Sequence, residues 1–231
     1  SKKRDFIYAS VSLAISGCFI AGGLAALWVS SLKTPDLSAF EARKVEQSTK
    51  IFDRTGKVLL YDVHENTKRT IVPFENISHH LKNATIAIED TEFYQHIGIK
   101  PTAIIRAIIA DLIPGGIKQG GSTITQQVIK NTVLTKDQTL ARKLKEWILA
   151  IKLEKVLSKD QILSIYLNEM PYGGNIYGVA EASKAFFGKA PSDVTLAEAA
   201  YIAGITQAPT FYSPYGKIHS SDTRLLYPTT E

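Results

Sequence analysis

A single cysteine, Cys18, leaves no partner for a disulfide, and no set of Cys and His residues has the spacing of zinc ligands. A disulfide-stapled framework and a structural zinc module are therefore both excluded. Low-complexity stretches are scarce and no internal repeat is visible, so the composition is not that of a disordered chain. Charge is missing altogether from residues 6–32, FIYASVSLAISGCFIAGGLAALWVSSL, a run of 27 positions, where about 20 apolar residues suffice to cross a bilayer core. A cleaved signal peptide has an apolar region of only about 7 to 15 residues, so an uncleaved membrane anchor is expected. Lys2, Lys3 and Arg4 precede the run. The positive-inside rule then puts the tail 1–5 in the cytoplasm and everything after Lys33 outside.

What is present is enough for a sizeable core: 231 residues, of which 45% are hydrophobic. Residues 33–50 are polar, contain Pro35 and read as a linker. STKIFDRTGKVLLYD predicts two short strands about a turn at Arg54-Thr55-Gly56. From Ile77 the pattern is helical, with apolar residues at three- and four-residue spacing over 81–95, 101–113, 122–132, 138–157, 159–168, 175–186 and 195–206. Ser158 with Gln161 forms a capping box, and Gly188 with Pro191 closes a helix. The fold class expected is mainly α, with a short N-terminal β-hairpin, preceded by one transmembrane helix. AIIRAIIADLIPGGI, residues 103–117, is apolar nearly all round. It is either a core helix or a segment dipping into the outer leaflet, and the tether to a bilayer tilts the reading to the second.

The net charge of +5 is modest, but residues 136–159 carry seven Lys/Arg against Asp137, Glu146 and Glu154. On an exported protein such a stretch points to lipid phosphates or an anionic substrate, not to nucleic acid. A solvated helix face laced with ion pairs is the other reading.

Three stretches bear candidate chemistry. In IEDTEFYQHIG a helix over 81–97 would set Ile86, Glu89, Phe93 and His96 on one stripe, so that Glu89 sits among apolar neighbours. Its charged form would be disfavoured, making it a proton acceptor near neutral pH. Alternatively Glu89, Asp90 and Glu92 form a solvated acidic turn. In KQGGSTITQQVIKN two glycines precede Ser122 and Thr123, an arrangement that seats an anion at a helix start or serves as an ordinary N-cap. Gln127 and Lys130 follow on one face. In RKLKE, Arg142 and Glu146 stand four residues apart, a pair that supports a helix or supplies a second carboxylate to a cation-rich site suited to a diphosphate leaving group.

Taken in order, EDTEFYQHIG, GGSTITQQ, RKLKE and KDQILSIYLN resemble the motifs of the peptidoglycan glycosyltransferase domain of class A penicillin-binding proteins and monofunctional transglycosylases. With YGGNIYGVAEASKAFFGKAPSDVTLAEAAYIAGITQAP, the resemblance covers about residues 50–215. It implies a lysozyme-like, bilobal domain over 51–216, with a membrane-dipping jaw at 103–117. The tail 217–231 is expected to be cut short where the family continues into an Arg-rich helix. The implied reaction polymerises lipid II into β-1,4-linked glycan with release of undecaprenyl diphosphate, in the bacterial plasma membrane with the catalytic domain outside.

Carried over residue by residue, Glu89 is the general base and Glu146 the second essential carboxylate. Asp90, Phe93, His96, Ser122, Thr123, Gln126, Gln127, Lys130, Arg142 and Lys143 are expected to bind substrate. The resemblance leaves room for Mg2+ or Mn2+ near Glu146. Partners implied are lipid II, the growing glycan strand, the membrane and other cell-wall synthesis proteins. Phe186 stands where the family usually has Tyr. No transpeptidase is expected, because Ser30 to Lys33 is the only Ser-x-x-Lys and no later Ser-x-Asn or Lys-Thr-Gly follows. Two other readings remain open: a lytic transglycosylase driven by one Glu, and a non-catalytic anchored scaffold that binds lipid II.

Overall fold

The computed structural model describes residues 2–31, 49–57, 59–63, 68–102, 121–132 and 140–214. Two compact units divide the chain, Ser1–Asp36 and Leu37–Glu231.

Among its described residues the first unit forms a helix, α1 (Lys2–Ser31). It is long and apolar enough to cross a membrane over Phe6–Leu24, and its described apolar side chains, such as Phe6, Leu13 and Phe19, are exposed.

The second unit opens with β1 (Thr49–Phe52) and β2 (Leu59–Val63), which pair antiparallel with Ile51 opposite Tyr61. The hairpin expected about Arg54-Thr55-Gly56 is therefore present. Its turn is held by Asp53, whose carboxylate accepts from the Lys57 N–H at 3.0 Å and from the Thr55 hydroxyl at 2.7 Å.

Helices then dominate: α2 (His79–Glu89), α3 (Ile124–Thr132), α4 (Leu140–Val156), α5 (Lys159–Glu169), α6 (Gly178–Phe187), α7 (Leu196–Ile205) and the short α8 (Pro209–Tyr212). A parallel pair, β3 (Lys68–Arg69) with β4 (Ile176–Tyr177), escaped the periodicity because each strand is two residues long. For the same reason the helix expected over 175–186 starts only at Gly178. The capping box of Ser158 with Gln161 is formed, a second one joins Thr195 with Glu198, and Gly188 ends α6 in the left-handed region. The helix expected over 101–113 and the apolar segment 103–117 fall almost wholly outside the described residues.

The core is built from the faces these helices share. α2 packs on α7, α3 on α4 and α5, and α5 on α6. Leu81, Phe93, Val128, Leu153, Leu163 and Val179 are fully buried between them, each worth about 1.5–3 kcal/mol of burial. Asn168 fastens the chain entering from β3 to α5. Its side chain accepts from the Val72 N–H at 2.9 Å and donates to the Val72 carbonyl at 3.0 Å and the Ser164 carbonyl at 2.9 Å.

One expected element is corrected. The helix over 81–95, or 81–97, ends at Glu89, and residues 91–95 form turns. Ile86, Glu89, Phe93 and His96 therefore do not share a helical stripe. The reason is tertiary: Asp90 has left the helical region, at φ −160° and ψ 76°, and its carboxylate is taken up by groups distant in sequence. Helix propensity is worth a few tenths of a kcal/mol per residue, less than the buried, charge-assisted hydrogen bonds this departure makes.

Candidate active site

The loop 90–100 is knotted to the start of α3 by side chains that sequence matching groups as site residues. Asp90 is buried, with 2% of its surface exposed. It meets His96 Nε2 at 2.7 Å and Lys100 Nζ at 2.6 Å, and accepts from the Ile124 N–H at 3.1 Å. Burial works to raise the Asp90 pKa, but the hydrogen bonds from His96 and Lys100 prevail and hold it below the ordinary value of 3.8. The His96 Nδ1 accepts from the Gly98 N–H at 3.0 Å. Thr123 donates its hydroxyl to the Gly98 carbonyl at 2.6 Å and accepts from the Gln126 N–H at 3.1 Å, while Gln126 Oε1 accepts from the Thr123 N–H at 2.7 Å. Thr123 and Gln126 are thus a buried capping box for α3. Gly98, at φ +94°, lies so close to α4 that a Cβ would stand 2.7 Å from the Ala150 carbonyl oxygen.

This knot fixes the end of α2, where Glu89 emerges half-buried. Three side chains from two elements hold its carboxylate. From α3, Gln127 Nε2 donates to Oε2 at 2.6 Å. From the turn after α7, the Thr206 hydroxyl and Gln207 Nε2, the latter at 3.2 Å, donate to Oε1. Glu89 is therefore ringed by hydrogen-bond donors and is not the apolar-stripe carboxylate that helical spacing suggested. Behind it lie the buried tyrosines Tyr166 and Tyr172. Burial first, and then the Glu89 charge, push both phenols above their ordinary value.

Glu89 lines a cleft of about 490 Å³ together with Ile88, Ser122, Gln127, Lys130, Asn131, Tyr166, Met170, Pro171, Thr206, Gln207 and Pro209. Of the residues expected from sequence, Glu89, Ser122, Gln127 and Lys130 meet at this wall. Asp90, Phe93, Thr123 and Gln126 are buried beneath it, and His96 is largely so.

Lys143 reaches the cleft indirectly. Its Nζ donates to the Ser122 hydroxyl at 3.0 Å and pairs with Glu146, which is 1% exposed. Arg142 lies half-buried one residue earlier on α4. The expected cationic shelf is thus represented on the described wall by Lys130, with Lys143 one hydrogen bond behind. Near Glu146 no group of three His, Cys, Asp or Glu that could hold a metal occurs among the described residues, and its one described ion-pair partner is a lysine.

Sequence reasoning did not single out Thr206 and Gln207. They follow an apolar helix in the stretch ITQAP, and the only signal was two polar residues between that helix and Pro209.

A mainly helical domain whose cleft presents one hydrogen-bonded carboxylate beside an exposed lysine has the makings of an enzyme that moves a proton next to an anionic group. The Transglycosylase family model matches residues 56–227, and the chain belongs to that family.

Penicillin-binding protein 1A of Aquifex aeolicus (strain VF5) is 42% identical over 181 residues, covering 78% of this chain and 25% of its own. The protein of that name in Clostridium perfringens (strain 13 / Type A) is 45% identical over 184 residues, 78% of this chain and 27% of its own. In Neisseria flavescens the corresponding values are 39% over 202 residues, 87% and 25%. The chain spans about a quarter of the length of these relatives.

Proposed function

We propose that this domain is a peptidoglycan glycosyltransferase that polymerises lipid II into β-1,4-linked glycan strands and releases undecaprenyl diphosphate. In this reading residues 51–216 form a bilobal, lysozyme-like catalytic domain. It is tethered by α1 to the bacterial plasma membrane, with the N-terminus in the cytoplasm and the domain outside. Family membership supports the reaction class, and the long apolar α1 supports the tether.

The observation that carries the mechanism is the Glu89 carboxylate, held by Gln127, Thr206 and Gln207 on the wall of a cleft that also presents Lys130. Glu89 takes the proton from the 4-hydroxyl of the acceptor sugar as that oxygen attacks the anomeric carbon of the donor. The bond to the diphosphate breaks on the opposite face, with inversion and without a covalent enzyme intermediate. Lys130 stabilises the departing negative charge, and Lys143, poised by Glu146 behind Ser122, adds to it. Asp90, His96, Thr123 and Gln126 act through the frame that fixes Glu89, while Arg142 lies within the same cationic turn of α4. No step is assigned to a metal.

The test is Glu89→Gln in the full chain with lipid II. Loss of a positioned general base lowers turnover by roughly 10²–10⁴-fold while the thermal melt stays within a few degrees. Glycan formation at the parent rate in a verified Glu89→Gln protein would refute the assignment.

A further inference from the structure

We propose that Thr206 is a positioning residue for Glu89, fixing which carboxylate oxygen reacts. The proposal rests on Glu89 being the base, as proposed above, and goes beyond it by assigning unequal roles to the two oxygens. A carboxylate has about four lone-pair sites, two on each oxygen. Oε1 takes two amide or hydroxyl donors, from Thr206 and Gln207 Nε2, whereas Oε2 takes one, from Gln127 Nε2. The buried Tyr166 hydroxyl also bears on the Glu89 carboxylate and on Thr206. Oε1 is the doubly held atom, so Oε2 receives the proton and Oε1 is the anchored atom.

Thr206 is better placed for this anchoring than either amide. Its Oγ1 lies 2.7 Å from the Ala203 carbonyl, three residues back in the last turn of α7, as well as beside Glu89 Oε1. One hydroxyl carries one proton, and a bond to an ionised acceptor is about twice as strong as one to a neutral carbonyl. The proton therefore goes to Glu89 while it is charged, and the short side chain is held in place by the helix end itself. The Gln207 amide has two N–H groups, and it lies 3.5 Å from the Ile88 carbonyl as well as 3.2 Å from Glu89 Oε1. A long, flexible glutamine orients a carboxylate less firmly than a β-branched threonine with few rotamers.

In the reaction the sugar hydroxyl proton moves to Oε2, the electron pair it leaves forms the glycosidic bond, and the donor's old bonding pair departs with the diphosphate. The Thr206 O–H bond stays intact throughout, so Thr206 is not itself an acid or a base.

The experiment measures initial rates of the full chain with lipid II from about pH 5 to 9, bracketing the range in which a carboxylate base titrates. The variants are Thr206→Val, Thr206→Ser and Glu89→Gln, each checked by thermal melting. In Thr206→Val the expected outcome is a roughly tenfold fall in kcat with KM within about twofold. The acid limb of its profile moves up by about half a unit or more, because a carboxylate stripped of a donor holds its proton more tightly. Thr206→Ser restores both kcat and the limb.

Parent-like kcat and pH profile in Thr206→Val, with Glu89→Gln inactive, overturns this inference and leaves the base assignment standing. So does a Thr206→Ser protein as impaired as Thr206→Val. An active Glu89→Gln overturns the base assignment first. Should valine at 206 not fold, Thr206→Ala carries the same comparison.

Discussion

Replacing Asp90 with asparagine tests whether the frame beneath the cleft is electrostatic. The side chain keeps its shape, loses its charge and turns one acceptor into a donor facing His96 and Lys100. Both partners lie within 2.7 Å of the carboxylate, whose side chain is 0% exposed, and the Lys100 side chain is only 16% exposed. Removing one member of a buried pair costs about 3–5 kcal/mol, because the other charge is left uncompensated. Lys100 retains a second, exposed partner in Glu92 at 3.3 Å, which puts the expectation near the lower bound, about 3 kcal/mol. At roughly 2–4 °C per kcal/mol for a domain of this size, the melting temperature falls by about 6–12 °C.

The pH dependence supplies a second reading. The Asp90 pKa is lowered in the folded state. Its contribution is therefore present above the unfolded value of 3.8 and is lost as pH falls from there through the folded value. Differential scanning fluorimetry of the full chain in detergent from neutral to acid pH measures both effects. The expected result is a large gap between parent and Asp90→Asn near neutrality that narrows below about pH 4. A gap under about 2 °C at neutral pH, or one that does not narrow in acid, refutes the reasoning.

Other substitutions probe neighbouring joints. Gly98→Ala places a methyl group against the Ala150 carbonyl at a positive φ and destabilises by about 1–3 kcal/mol, read as a lowered denaturation midpoint with unchanged slope. Asn168→Ala strands the Val72 N–H and carbonyl and costs about 3 kcal/mol. Hydrogen exchange at Val72 reports it, rising well above that at Val179 in the core.

Much of the architecture was legible in the chain. The uncharged stretch at 6–32 marked α1, and periodicity with capping residues placed α3 to α7 to within a few residues, because each helix buries one apolar face and ends on a local signal. The hairpin at 49–63 was likewise announced by its turn. GGSTITQQ and EDTEFYQHIG supply residues that share one cleft wall, Glu89, Ser122, Gln127 and Lys130.

Local pattern could not tell reaching side chains from buried ones. Asp90, Phe93, Thr123 and Gln126 look as polar or as aromatic as their neighbours in the motifs, yet they face inward. Only the docking of the 90–100 loop onto the N-terminus of α3 decides that. Nor does spacing reveal why α2 stops at Glu89, since hydrogen bonds to Asp90 from Lys100 and Ile124 outweigh a helical preference read along the chain. Thr206 and Gln207 make the same point from 117 and 118 residues away in sequence. Sequence alone placed α3 to α7 to within a few residues and singled out Glu89 as a carboxylate to watch. The closing of α7 over α2 determined what that carboxylate touches, because hydrogen bonds act through a few ångströms of space and take no account of chain distance.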